Sequence, residues 1–468
     1  MSICRRDFLR TGLAAAAATN WAHGWARASE ADANEHKAEI TGWTQVPAIL
    51  DSIALPQFPD QDFVITDYGA VNDGETDCAA AIGNAISTCN QIGGGCVVIP
   101  AGQWQCNGPI QLLSNVNLYL EEGANITFGA DPEDYLPVQL VRWQGIRCYN
   151  YSPFIYAYQQ QNIAVTGLGA FYGQGAEVWS RWTDEQNPDW TLLQQMANSG
   201  VPVEERIFGS GHYLRPSMFE PYGCRNILVE GVTFADSPFW TMHPTFCDNV
   251  TIAGVTVVPG AKNDDGCDPD SCNNVLVEQC DFSTNDDNVS LKAGLLPDAQ
   301  GLPGCENIVV RNCQCRRSTW SGLTIGSDAG GIIRNVFIEN CTVNHCINAH
   351  FIKAWADGGG AIKDIYIRNN DVLACRNVFS VLPDAYDAPG THGPPVIANL
   401  HMENVTCVES IDQPFIFTGD PRLPIDGVVL DNISIAKSEA LKVCQIVNTT
   451  ALTASHITLE GRLVDNEF

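Results

Sequence analysis

The sequence predicts an all-β chain wound as a single-domain parallel β-helix, with a helix capping its N-terminal end. Three observations predict it. A nine-residue, strand-like unit recurs down the chain, its spacing varies while the unit itself persists, and an Ala-rich segment precedes the first clear repeats. Short β-branched runs with period-two alternation, repeated at intervals of a few tens of residues, are the mark of stacked coils. One coil cannot bury its own apolar face, but a stack of coils makes a continuous core.

The unit opens on an Asn-like residue and continues in alternating aliphatics. It reads NILVEGVTF from Asn226, NVTIAGVTV from Asn249, NVLVEQCDF from Asn274 and NIVVRNCQC from Asn307. It continues as NVFIENCTV from Asn335, DIYIRNNDV from Asp364, NLHMENVTC from Asn399 and GVVLDNISI from Gly427, with NIAVTGLGA at Asn162 a degenerate earlier copy. The intervals from Asn226 onward are 23, 25, 33, 28, 29, 35 and 28 residues. Cys280, Cys313 and Cys341 share the seventh position of the unit, and Cys315 and Cys407 share the ninth with Phe234 and Val257. Those cysteines therefore read as small interior hydrophobes. Cys267/Cys272 and Cys341/Cys346 are near enough in sequence to bridge, which spacing alone does not decide. The Asn-x-Ser/Thr matches at Asn340, Asn404 and Asn432 fall inside ladder units, where strand chemistry accounts for them better than glycosylation does.

Before the repeats, Phe63 to Ala70 reads as strand and turn, and Asp77 to Cys89 as a helix able to cover the open end of the stack and block edge pairing. Gly93-Gly94-Gly95 then leads into the strand Cys96 to Pro100. Residues 173–215 interrupt the ladder with Trp179, Trp182 and Trp190 in a polar, Pro- and Gly-punctuated stretch, read as a lid insertion.

At the N-terminus, Arg5-Arg6-Asp7-Phe8-Leu9-Arg10, the apolar run Thr11 to Thr19 and Ala26-Arg27-Ala28 follow the order of a twin-arginine signal peptide with its cleavage site. Residues 1–28 are thus expected to be a leader, 29–60 an N-terminal extension and 61–468 the β-helix domain. The mature protein is expected in the periplasm or secreted, as a monomer, and no other stretch approaches the ~18 apolar residues of a membrane span. The composition is globular, at 45% hydrophobic and 17% charged residues, and the net charge of −29 argues against nucleic acid as a partner.

The chemistry-bearing feature is a doubled triplet. Asn263-Asp264-Asp265 recurs as Asn285-Asp286-Asp287 after 22 residues, close to the shortest coil. Neighbouring coils stack about 4.8 Å apart, so Asp265 and Asp287 are candidates for adjacent rungs of one face. Asp286 joins them only if the chain bends there, which Ser283-Thr284-Asn285 permits. Clustered carboxylates suit either Ca²⁺ binding or glycoside hydrolysis, where crowding keeps one carboxyl protonated while another activates water.

Here the sequence resembles the pectin-degrading glycoside hydrolases of family 28, the polygalacturonases and their relatives. The likeness covers nearly the whole mature chain, through FVITDYGAVNDGETD, LLSNVNLYLEEGA, YNYSPFIYAY, SPFWTMHP, NDDGCDPDS, DDNVSLKAG and IGSDAGGIIRNV. It implies a right-handed parallel β-helix, a pectic poly- or oligosaccharide as partner, inverting hydrolysis and no cofactor or metal. Asn263 and Asp265 match the family's Asn-Thr-Asp motif, with Asp264 in the Thr place, and Asp286 and Asp287 match its paired aspartates. The resemblance makes Asp286 the general acid, with Asp265 and Asp287 holding the attacking water, and inversion then calls for ~6.5–9.5 Å between acid and base carboxyls. Lys353, Lys292 and His243 fall where relatives line the cleft.

Two motifs depart from the family. Trp320 stands where polygalacturonases have the His of Gly-His-Gly, and Phe351-Ile352-Lys353 replaces Arg-Ile-Lys. Loss of that Arg removes a bidentate carboxylate clamp, whereas Trp320 and Phe351 offer apolar faces to a sugar ring. Rhamnogalacturonan hydrolases of the same family also lack the His motif. Hydrolysis is therefore expected, with a substrate other than plain homogalacturonan. A Ca²⁺-using β-helix lyase and a non-catalytic carbohydrate-binding β-helix are the competing readings.

Overall fold

In the computed structural model, residues 41–387 and 392–468 are described; the expected leader lies outside them. The repeated unit forms the expected stack. Ile163, Ile227, Val250, Val275, Ile308, Val336, Ile365, Leu400 and Val428 pair coil on coil in parallel register. A second column follows through Phe171, Phe234, Val257, Phe282, Cys315, Val343 and Val372. Both columns point inward and are almost fully buried, giving one apolar core from Ile65 to Val464. Each such side chain contributes roughly 1.5–3 kcal/mol by leaving water.

The Asn-like opening residue of the unit is the corner of each coil. Asn162, Asn226, Asn249, Asn274, Asn307, Asn335, Asp364 and Asn399 all hold φ between 53° and 59°. This is the left-handed region, which Asn and Asp tolerate better than other side chains. Gly427 takes the same place at φ 77°. The amides then bond along the stack: Asn226 Nδ2 donates to Asn162 Oδ1 (2.9 Å), Asn249 to Asn226 (3.0 Å) and Asn335 to Asn307 (3.1 Å). Asn340, Asn404 and Asn432 occupy a second left-handed corner, at φ 51–56°.

The helix Ala79–Gln91 buries Ala81, Ile82, Ala85, Ile86 and Cys89 against the first coils, as expected of a cap. In the expected extension, Trp43, Val46 and Ile49 lie against the outer face of the stack, on Leu276, Val309, Phe337 and Tyr366. All eighteen cysteines after Cys4 are free thiols, and all but Cys444 are buried. Neither Cys267/Cys272 nor Cys341/Cys346 is bridged.

The interruption at 173–215 is more ordered than its sequence suggests. It holds a 17-residue helix, Trp182–Asn198, with Pro188 inside it. Gln186, Asp189, Leu193 and Ala197 recur at three- and four-residue spacing on its buried face, and that packing outweighs the lost hydrogen bond at proline. Leu193 and Ala197 join Val141, Trp143, Phe208 and Phe239 in a separate apolar cluster. Trp179 is core, packed edge-on against Tyr135 and Trp182 and tilted against Phe154. The segment is thus a packed wall beside the coils.

Candidate active site

The doubled triplet stacks in register. Met242, Cys267 and Val289 bridge in parallel on three successive coils. Asp265 and Asp287 each stand two residues ahead of their bridge, and Gly266 N donates to Asp287 O at 3.0 Å. Between Ser283 and Val289 the chain leaves strand geometry, so Asp286 escapes the alternation that would have turned it away. Thr284 Oγ1 and Ser318 Oγ both donate to the Asp286 carbonyl at 2.6 Å and hold the bend. Carboxylate oxygens of Asp265, Asp286 and Asp287 all come within 4.8 Å of one another. Those oxygens are closer than the expected gap of ~6.5–9.5 Å between an inverting acid and base. Rungs that stack about 4.8 Å apart bring their side chains together this closely.

Members of the triplets divide the work. Asp264 turns inward, accepting from Gly260 N (2.6 Å) and Asn285 N (2.7 Å), while Asn285 Nδ2 donates to Gly260 O (2.8 Å). These two brace one loop against the next. Asn263 faces the acids: its Nδ2 donates to Asp286 Oδ2 at 3.2 Å.

Two ammoniums compensate the cluster. Lys353 Nζ donates to Asp287 Oδ2 at 2.8 Å. Lys292 Nζ lies 3.4 Å from Asp265 and 3.6 Å from Asp268, over the Trp240 ring at 4.3 Å. Burial works against both charges, yet the facing carboxylates raise both pKa values above the usual lysine range. Burial, then the charge of Asp287, pushes the Asp286 carboxyl up. Burial, then Asp268 and Asp286, pushes Asp265 well up. Burial also lifts Asp268 to about 7 against the pull of Lys292. Asp287 Oδ1 has no hydrogen-bond partner among the described residues.

Other expected residues are placed less uniformly. Trp320 is 39% exposed, two residues from the Ser318 that holds Asp286, and it can present its ring to a ligand. Phe351 cannot offer an open face. It is 4% exposed, paired between Thr324 and Ser380, with Lys353 Nζ 5.7 Å from its ring. His243 is likewise not a cleft residue: it is fully buried between Glu220 (3.5 Å) and Asp270 (3.4 Å), and Arg142 braces Asp270 at 2.8 Å. His350 lies inside a strand, accepting from Asn370 Nδ2, with burial lowering its pKa to about 4.

Sequence reasoning missed three contributors. Asp268 lies beneath Asp265 and belongs to the same acidic run, DDGCDPD. Tyr386 comes from the coil after that of Lys353, its ring 5.9 Å from Lys353 Nζ. Arg215 is fully buried and donates through Nη2 to Asn263 Oδ1 at 2.8 Å. The only signal for it was a charge in the otherwise uncharged run LRPSMF, since a buried guanidinium demands partners.

By donor type and spacing, Asp265, Asp286 and Asp287 can hold a cation. Lys353 and Lys292 already supply positive charge to two of the three, and a metal ion would have to compete with them.

A stacked β-helix carrying crowded carboxyls, some paired to ammoniums, defines a class of protein equipped for acid–base chemistry. The comparisons narrow it. Residues 209–454 match the family described as glycosyl hydrolases family 28, and residues 63–127 match the rhamnogalacturonase A/epimerase, pectate lyase-like family. The chain belongs to glycosyl hydrolase family 28. It is similar to an exopolygalacturonase structure from Thermotoga maritima, at 32% identity and a TM-score of 0.81, covering 90% of this chain and 96% of that one. The polygalacturonase structure from Erwinia carotovora, at 19% identity and a TM-score of 0.65 over 87% and 99% of the two chains, shares the right-handed parallel β-helix. A probable polygalacturonase of Vitis vinifera is 26% identical over 59% of this chain, which spans 53% of that relative's length.

Proposed function

We propose that this protein hydrolyses glycosidic bonds of a pectic polysaccharide or oligosaccharide; the family resemblance, and not the carboxyl spacing, supports inversion at the anomeric carbon. The observation that carries the reading is the meeting of three carboxyls from two coils within 4.8 Å, with ammoniums on two of them. Protons in such a cluster belong to the group as a whole, and the cations decide where they reside. Lys353 sits on Asp287 and Lys292 faces Asp265. Asp286 has no ammonium within ion-pair distance among the described residues, so it keeps the proton and serves as general acid. Asp265 and Asp287, through its unpartnered Oδ1, orient the attacking water.

The exopolygalacturonase relative at 32% identity supports cutting from a chain end. Trp320 in the place of the family His, and the loss of Arg at Phe351, support a substrate other than plain homogalacturonan. The leader-like sequence supports export by the twin-arginine route. No helix among the described residues is long and apolar enough to cross a membrane.

A product assay on a panel of pectic polymers and oligosaccharides, with Asp286→Asn as control, tests the reading. The expected result is saturated sugar of inverted anomeric form by NMR, with turnover lost in the variant. Unsaturated, ultraviolet-absorbing products that chelator abolishes would establish a lyase instead. Turnover identical in wild type and Asp286→Asn would remove the assigned acid.

A further inference from the structure

The thiols are not scattered through the core; many of them stand in columns. Arg225, Asp248, Asn273 and Glu306 pair in parallel register on four successive coils. Cys224, Cys247, Cys272 and Cys305 each precede one of these residues, so four thiols follow one another up the stack. A proline marks each in the sequence: Pro221, Pro244 and Pro269 stand three residues ahead of the first three, and Pro303 two ahead of Cys305. A second column holds Cys280, Cys313 and Cys341, just ahead of Asp281, Gln314 and Thr342, which pair coil on coil. Further along, Cys346 pairs directly with Cys375.

The first column is built from reduced sulfur. Each thiol donates to a carbonyl of the preceding coil: Cys224 to Ala157 (3.4 Å), Cys247 to Pro221 (3.2 Å), Cys272 to Pro244 (3.1 Å) and Cys305 to Pro269 (3.4 Å). A disulfide sulfur carries no hydrogen to donate. Bridging is nevertheless within reach, because coils stack about 4.8 Å apart and a disulfide spans Cα atoms about 4.4–6.8 Å apart. Cys247, Cys272 and Cys313 each have such a neighbour above and below, so the register favours no single pairing. Burial guards the finished columns. Every described thiol except Cys444 is buried, and burial pushes Cys267 and Cys315 well above the ordinary thiol range, which suppresses the reactive thiolate.

The unfolded chain has no such guard. An external disulfide bridges two of its thiols by exchange: one S–S bond forms in the chain while the oxidant's own S–S bond is reduced to two thiols, which take up the two protons. Short loops close most readily, which pairs Cys267 with Cys272 or Cys341 with Cys346. The fold sets the members of each such pair in different rows. We propose that this fold forms only while its thiols are reduced, and that the columns act as a redox checkpoint on export. The chain completes its coils before it meets an oxidising compartment and crosses the membrane already folded. The proposal rests on the export reading above.

The test replaces residues 1–28 by a leader that threads an unfolded chain into a bacterial periplasm, in cells with and without the periplasmic disulfide oxidase. Folded protein is read by trypsin resistance, and free thiols by a colorimetric disulfide reagent. Under its own leader the protein should arrive resistant to trypsin, with at most the Cys444 thiol reactive when native and all eighteen reactive on denaturation. Under the threading leader, resistant protein should fall at least about ten-fold and recover in cells without the oxidase. Equal resistant protein under either leader would overturn the proposal, as would a loss that removing the oxidase does not repair. Disulfides in the wild-type protein isolated from the periplasm would overturn it too. Retention of the wild-type chain in the cytoplasm would instead overturn the export reading, while the threading leader would still judge the columns.

Discussion

Lys353 Nζ and Asp287 Oδ2 meet at 2.8 Å with both side chains buried, although 66 residues separate them in sequence. Removing one partner of a buried pair leaves an uncompensated charge, at a cost of about 3–5 kcal/mol. Lys353→Met is therefore expected to lower unfolding stability by that order, and Lys353→Met with Asp287→Asn to recover much of it. Chemical denaturation of the two singles and the double completes the cycle. Strictly additive losses would show that the contact contributes nothing as a pair.

His243 predicts the alkaline behaviour of the fold. Burial opposes its charge, but Glu220 and Asp270 outweigh burial and raise its pKa to about 9. A raised folded-state value stabilises fully below the unfolded pKa of about 6.5 and is lost as pH rises through about 9. Stability of the wild type should thus decline between pH 6.5 and 9, and His243→Gln should be less stable at pH 6 with a flatter profile. Parallel profiles for the two proteins would rule out the charged imidazole.

The activity profile follows Asp286. Its carboxyl is raised by burial and by Asp287, so it stays protonated above the usual carboxylate range. The rate should fall on the alkaline side as that proton leaves. Asp286→Asn should cost at least about 100-fold in kcat, the scale of general acid catalysis.

Trp320 and Phe351 should respond differently. Trp320→Ala removes an exposed ring beside the cluster and is expected to lower kcat/KM about ten-fold on the preferred substrate while leaving unfolding unchanged. Phe351→Arg places a guanidinium in a buried site already facing Lys353, so its main effect should be lost stability. Thermal melts measured beside the kinetics separate the two. A Phe351→Arg protein of native stability and improved polygalacturonate hydrolysis would show the lost clamp restored.

The repeat was legible because an inward column must stay apolar and a left-handed corner favours Asn, and both needs leave marks at every coil. The doubled triplet was legible because its 22-residue interval is one turn, as Gly266 bonding to Asp287 shows. By itself, then, the sequence determined the β-helix, the capping helix, the interior placing of Cys280, Cys313, Cys315, Cys341 and Cys407, and the register of Asp265 with Asp287. Tertiary structure alone decided which side chains face those acids. It buried His243 and Phe351, set Lys353 on Asp287, and brought Gln186, Arg215 and Asn263 into one line. Local pattern records the periodic demands of a strand and its turn. Contacts between a packed insertion and a distant coil have no period, and only the folded chain places them.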